Sequence, residues 1–136
     1  MTPEPSTAPF SWSARGRSFL FAARGLRVLI VSQHNARLHL AATLAVIVAG
    51  AFFNLTHLAW AAIAAAIGLV WLAETLNTAV ERLGDAITRE AHPAIRDAKD
   101  LAAAAVLLAS AIAVMIGLLV FVPHVLALFV RMGGAG

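Results

Sequence analysis

The stretch LAWAAIAAAIGLVWLA at residues 58–73, running directly into ETLNTAVERLGD at residues 74–85, decides the fold of this chain. Its first part holds 16 residues without a charge, roughly 24 Å of helix at about 1.5 Å per residue. That length carries Glu74 to the edge of a hydrocarbon layer roughly 30 Å thick. The second part places Glu74, Asn77, Glu81 and Asp85 at spacings i, i+3, i+7 and i+11, which share an arc of about 80° on one helix face. A carboxylate at the hydrocarbon boundary is expensive and demands a partner or a task.

Two further apolar runs flank this one, residues 38–53 and 101–122. A brief uncharged turn, NLTH at residues 54–57, separates the first two runs, and polar residues 86–96 separate the last two. Pro93 suits the first turn of a helix. The spans are therefore expected at about 36–53, 57–85 and 94–122, the third ending at Pro123, with an apolar and then Gly-rich tail over 124–136. Composition agrees: the chain is 61% hydrophobic and 12% charged, against about half and roughly a quarter in a soluble domain. A chain of 136 residues has too little interior to hide that excess from water, so lipid must cover it. With no cysteine, disulfides and thiolate metal sites are excluded.

Ahead of the spans, residues 10–33 have a different pattern. With Arg15 at zero and about 100° per residue, Arg17, Arg24 and Arg27 fall at roughly 120–200°, opposite Phe19, Ala22, Ala23, Leu26, Leu29 and Ile30. Such a helix lies in the bilayer surface rather than crossing it. Residues 1–9 are polar and Pro-rich and are expected to be a disordered tail, not a signal peptide. The fold expected is thus all-α and integral to a membrane, with an amphipathic surface helix followed by three transmembrane helices.

The basic residues set the topology. Arg15, Arg17, Arg24, Arg27 and Arg37 precede the first span, and Arg82, Arg89, Arg96 and Lys99 surround the second loop. Only Arg131 follows the third span. The N-terminus and second loop are therefore expected in the cytoplasm, as in a multi-pass protein of a bacterial-type inner membrane. No broad basic face for nucleic acid is present. Abundant alanine, with Gly50, Gly68 and Gly117 in the spans, favours close helix approach and a homo-oligomer.

The remaining polar residues are expected to gather at the cytoplasmic level of the bundle. Lys99 and Asp100 open the third span, and Gln33, His34, Asn35, Arg37 and His39 lie at the start of the first. Phosphoryl transfer fits such a set, since there the protein mainly positions reactants and neutralises charge. Carboxylates hold Mg²⁺ together with phosphate oxygens, a lysine supplies a point charge for phosphate, and a partly desolvated carboxylate serves as general base. Neither Gly-rich phosphate loop is present. The blander alternative is that these residues only tie the bundle together. His57, His92 and His124 stand alone and are expected to be structural, and Trp12, Trp60 and Trp71 to be interface anchors or packing.

The segment ETLNTAVE at 74–81, with Asp85 after it and AKDLAAAAV at 98–106, resembles the prokaryotic diacylglycerol kinase and undecaprenol kinase family. Its pattern is approximately E-x-x-N-[ST]-A-[IV]-E-x-x-x-D followed by A-K-D, and the likeness covers about residues 18–123. The resemblance implies a homotrimer that transfers phosphate from ATP, with Mg²⁺, to a membrane lipid alcohol. It implies Glu74 as general base and Glu81 as metal ligand, with Asn77, Lys99 and Asp100 in the active site. Lys99 would lie near the phosphates, Asp85 near the nucleotide, and the site would be shared between subunits. The family's second metal-binding glutamate is replaced here by Gln33, in QHNARLH at 33–39, whose amide still offers a carbonyl oxygen. The N-T-A form of the motif and the VFVP ending at 120–123 look more like the undecaprenol branch. A small oligomeric ion or proton-coupled transporter using Glu74 is the alternative, as is a silent scaffold.

Overall fold

A computed structural model describes residues 11–88 and 90–133. The expected tail over 1–9, the position of Phe10, Arg89 and the last three glycine-rich positions lie outside the described residues. Four helices follow in order: α1 Trp12–Ser32, α2 His34–Phe52, α3 His57–Ile87 and α4 Pro93–Gly133. There is no strand among the described residues. α2, α3 and α4 are each long and apolar enough to cross a membrane. The chain is an all-helical membrane protein, as its hydropathy pattern requires.

Burial has the pattern of a protein solvated by lipid. The buried apolar residues are few and mostly small or β-branched, namely Leu29, Ala36, Leu55, Ile63, Ala66, Val70 and Ala109. Large apolar side chains such as Leu58, Leu107, Leu119 and Val130 point outward. Lipid tails are as apolar as leucine, so helices associate here through close packing and hydrogen bonds rather than exclusion from water.

α3 is the spine of the bundle. It packs along α4 and more lightly on α2 and α1, while the backbones of α2 and α4 do not approach closely among the described residues. Where α3 and α4 are closest, Gly84 makes room: a Cβ there would lie 2.8 Å from Lys99 Cε and 2.9 Å from Ile95 Cγ2. Trp71 Nε1 donates to Thr43 Oγ1 at 3.1 Å, a hydrogen bond between α3 and α2. Trp60 packs over Gly50, where a Cβ would lie 2.7 Å from its ring. These two tryptophans therefore hold helices together rather than only anchoring the interface.

Each helix boundary has a local cause. Gln33 is extended, with φ −107° and ψ 124°, and breaks α1 from α2. Arg37 folds back across that break, donating from Nε to the Ile30 carbonyl at 3.3 Å and from Nη2 to the Val31 carbonyl at 3.1 Å. Those two carbonyls belong to the last turn of α1, where no helical N–H reaches them. Asn54 turns the α2–α3 connection in the left-handed region, φ 51°, which asparagine tolerates better than most residues. Thr56 caps α3, its Oγ1 accepting from Ala59 N–H at 3.3 Å.

The helix expected to stop at Pro123 does not, because α4 continues through it to Gly133. Within lipid only a helix satisfies the backbone, and proline is tolerated there because neighbouring groups rescue the freed carbonyls. Pro123 frees the carbonyl four residues back, that of Leu119; beside it, His124 Nδ1 lies 2.8 Å from the Val120 carbonyl and donates to it when that nitrogen carries the proton. Its ring also packs against Phe53, with centroids 5.8 Å apart. His124 is not isolated, and the segment after Pro123 is helix, not tail.

Candidate functional site

Helical periodicity puts Glu74, Asn77 and Glu81 on the face of α3 that looks into the gap between α2 and α4. They line an open cleft of about 360 Å³ together with Asn35 and His39 from α2 and Ala103, Val106 and Ser110 from α4. Glu74 is 2% exposed and Asn77 8% exposed. Glu81 is half-buried and accepts two amide hydrogen bonds. Asn77 Nδ2 donates to its Oε1 at 3.1 Å, and Gln33 Nε2 donates to its Oε2 at 3.1 Å. The polar group is therefore a chain, Gln33–Glu81–Asn77, with Glu74 one turn deeper.

Three buried oxygens on this stripe accept no hydrogen bond: Glu74 Oε2, Asn77 Oδ1 and Thr78 Oγ1. Buried polar atoms are normally paired, and unpaired ones are concentrated where a ligand completes them. Two of the three, on Glu74 and Asn77, belong to residues that line the cleft.

A second group lies farther along α3. Asp85 forms an ion pair with Lys99, and both line a smaller cavity with Thr88, Glu90, His92, Arg96 and Asp100. Asp100 pairs with Arg96 one turn earlier on α4, at 3.8 Å, and both side chains are exposed. The single level expected from sequence is thus two levels. Glu74 and Asp85 are 11 residues apart, roughly 16 Å along the helix axis. α3 and α4 run antiparallel from a short loop, so Val106 on α4 stands level with Glu74, and Lys99, one turn past the level of Asp85, reaches it with its side chain. Lys99 and Asp100 do not meet Glu74 within one chain.

Two polar residues of this stripe and cleft were missed from sequence. Ser110 is a lone hydroxyl inside an apolar run, and the alternation of apolar and small residues around it gives no warning. Thr78 reads as part of the N-T-A motif, and its burial emerges only from packing.

Beside the cleft lies an apolar groove of about 250 Å³, lined by Ala42, Val46, Ile63, Ala66, Ala113 and Gly117 among others. His39 and Ser110 line both cavities. The groove and the polar cleft adjoin at those two side chains.

The fold and site together define a membrane-embedded enzyme-like cleft in which an acid–amide stripe meets a hydrocarbon groove. Comparison with known proteins places it more narrowly. Residues 20–121 match the family described as prokaryotic diacylglycerol kinase. The chain is 39% identical over 107 residues to the undecaprenol kinase of Bacillus subtilis, an alignment covering 79% of this chain and 87% of that protein. It is 38% identical over 114 residues to a diacylglycerol kinase of Synechocystis sp., covering 83% of this chain and 65% of that longer protein. The chain belongs to the prokaryotic diacylglycerol kinase family. It is a membrane lipid kinase, and that membership displaces the transporter alternative.

A hard divalent cation fits part of this donor set. Among the described residues no group of three or more His, Cys, Asp or Glu side chains could hold a metal alone. Mg²⁺ asks for less, one or two carboxylates with phosphate oxygens and waters completing the shell. Glu81 supplies one carboxylate, and the unpaired Asn77 Oδ1 is a ready acceptor beside it. Gln33 now points its NH₂ group at Glu81, so its carbonyl would serve as a ligand only after a half-turn of the amide.

Proposed function

We propose that this protein transfers the γ-phosphoryl group of ATP to the primary hydroxyl of a membrane lipid alcohol, at the cytoplasmic face and with Mg²⁺. The observation that carries this reading is the unpaired, buried Glu74 Oε2 in a polar cleft that shares His39 and Ser110 with an adjoining apolar groove. A lipid alcohol has the matching shape, a single hydroxyl at the end of hydrocarbon. With its chain in the groove, its hydroxyl reaches Glu74, which accepts the proton as the oxygen–phosphorus bond forms. The bond from the γ-phosphorus to its bridging oxygen breaks, and ADP departs.

The other residues divide by level. Asn77 holds Glu81 and presents its carbonyl oxygen toward the reacting centre. Glu81, with Asn77 and a turned Gln33 amide, would hold the cation, which supplies charge neutralisation for the phosphate oxygens. Asp85, Lys99 and Asp100 form the nucleotide end, with Lys99 exchanging its Asp85 partner for phosphate. The separation of the two levels matches an extended nucleoside triphosphate lying along α3.

Two features support finer points. The cleft is open between α2 and α4, so a neighbouring subunit is needed to close it over the reactants, in keeping with a homotrimer and a shared site. The groove is largely apolar, which suits the hydrocarbon part of either lipid. The N-T-A form of the motif with the VFVP ending favours undecaprenol over diacylglycerol. The test is purified protein in bilayers with γ-labelled ATP, Mg²⁺ and each lipid in turn. Label in undecaprenyl phosphate above that in phosphatidic acid supports the reading, and unlabelled lipid in both reactions overturns it.

A further inference from the structure

We propose that α1 is a docking arm for anionic phospholipid, and that its docking is passed to Glu81 through the elbow at Ser32–Gln33. The surface itself carries the first half. Arg17, Arg24 and Arg27 lie on one side of α1 and are all exposed, while Phe19 and Leu26 on the other side are exposed apolar groups. Arg24 sits over the exposed Phe21 ring at 5.9 Å, so a basic and an aromatic group share the outer surface of the helix. An amphipathic helix with basic residues on its polar face binds the headgroup boundary, and anionic lipid strengthens that binding. Charge complementarity selects the occupant: acidic phosphate headgroups at a bilayer surface.

The second half rests on where α1 ends. Its last turn is tied to the catalytic helices by three side chains from different elements. Arg37 of α2 holds the Ile30 and Val31 carbonyls, Arg82 of α3 donates to Ser32 Oγ at 3.1 Å, and Gln33 donates to Glu81. Leu29 and Ala36, on either side of the break, are 2% and 0% exposed. The elbow is thus packed and bonded, so a tilt of α1 displaces Gln33 relative to Glu81. When α1 lies down on an anionic surface, the Gln33 amide is held beside Glu81, within reach of the cation the two would share, and the cleft is set. When α1 is loose, that amide leaves Glu81. This coupling rests on the role proposed above for Glu81.

The chain has no cysteine, so Ala22→Cys on the apolar side of α1 takes a single environment-sensitive fluorophore. The labelled full-length protein is placed in nanodiscs of phosphatidylcholine alone or with increasing phosphatidylglycerol. Fluorophore emission and the initial rate of lipid phosphorylation are read on the same samples. Three arginines at about 1 kcal/mol each near an anionic surface give roughly a hundredfold preference, so emission shifts to the blue and the rate rises together as anionic lipid is added. R17Q/R24Q/R27Q removes both responses, and high salt does the same to the wild type without any substitution.

Emission indifferent to lipid charge overturns the docking. Emission that responds while the rate does not overturns the coupling. A loss of trimer mass in the triple variant, with emission unchanged, assigns the arginines to a neighbouring copy and overturns the lipid reading. If no lipid is phosphorylated in any nanodisc, the kinase reading and the coupling both fall, and the emission still judges the docking.

Discussion

Replacing Gln33 by glutamate probes the proposed cation site at a position where this chain departs from the family pattern given above. The substitution exchanges a donor for a second carboxylate facing Glu81 across the 3.1 Å now spanned by a hydrogen bond. At an effective dielectric of about 20, two such charges repel by about 5 kcal/mol. Partial exposure of the pair screens that figure, and the side chains can part, so a net loss of about 1–3 kcal/mol is expected in chelator. A divalent cation between the carboxylates reverses the sign, because each oxygen then faces opposite charge. The expected outcome is a thermal midpoint several degrees below wild type in EDTA, regained on adding Mg²⁺. In the lipid phosphorylation assay, the Mg²⁺ concentration for half-maximal rate should fall about tenfold. An unchanged midpoint in EDTA together with an unchanged Mg²⁺ requirement would show that Gln33 and Glu81 do not share a cation.

Three other substitutions test separate parts of the account. Gly84→Ala places a methyl group 2.9 Å from Ile95 Cγ2. The strain of about 1–3 kcal/mol outweighs the gain of up to about 1 kcal/mol in helix propensity, so thermal stability should drop, and a stabilised variant would refute the close approach. Lys99→Gln removes the partner of Asp85 and the charge proposed for phosphate, so KM for ATP should rise at least tenfold while KM for the lipid stays near wild type. Equal effects on both constants would contradict the division into two levels. Thr43→Val removes the acceptor for Trp71 Nε1, and a buried interhelical hydrogen bond in lipid contributes about 0.6 kcal/mol. A small loss of stability with unchanged activity is expected, and a loss of activity at normal stability would place Trp71 in the site.

Much of the fold was legible because lipid imposes simple rules. Three apolar runs bounded by polar turns gave α2, α3 and α4, and the 100° periodicity of arginines gave α1. What failed was the local reading of Pro123, since proline stops a helix in water but not where backbone groups have no alternative partner. The acid–amide stripe on α3 was also legible, from spacing alone. Its relation to α4 was misjudged because Lys99 was placed by its distance from the loop without pairing the hairpin residue by residue. Counting equally away from the short loop at 88–92 sets Glu74 level with Val106 and Asp85 level with Ile95, one turn short of Lys99, and that arithmetic already separates Lys99 from Glu74. The bonds of Gln33, Asn77 and Trp71 were not legible, because each depends on the rotation of one helix against another.

The role of Glu74 is the point on which the account stands most heavily, and the isosteric variant Glu74→Gln isolates it. The measurement is label transfer from γ-labelled ATP to undecaprenol in bilayers, with nucleotide binding followed on the same preparation. Losing a positioned general base lowers a rate by about 10²–10⁴-fold. The expected result is transfer reduced at least a hundredfold while ATP binds as in the wild type, since Asp85 and Lys99 are untouched. Transfer at the wild-type rate in that variant would mean that the buried carboxylate takes no proton from the lipid, and the proposed chemistry at this cleft would be wrong.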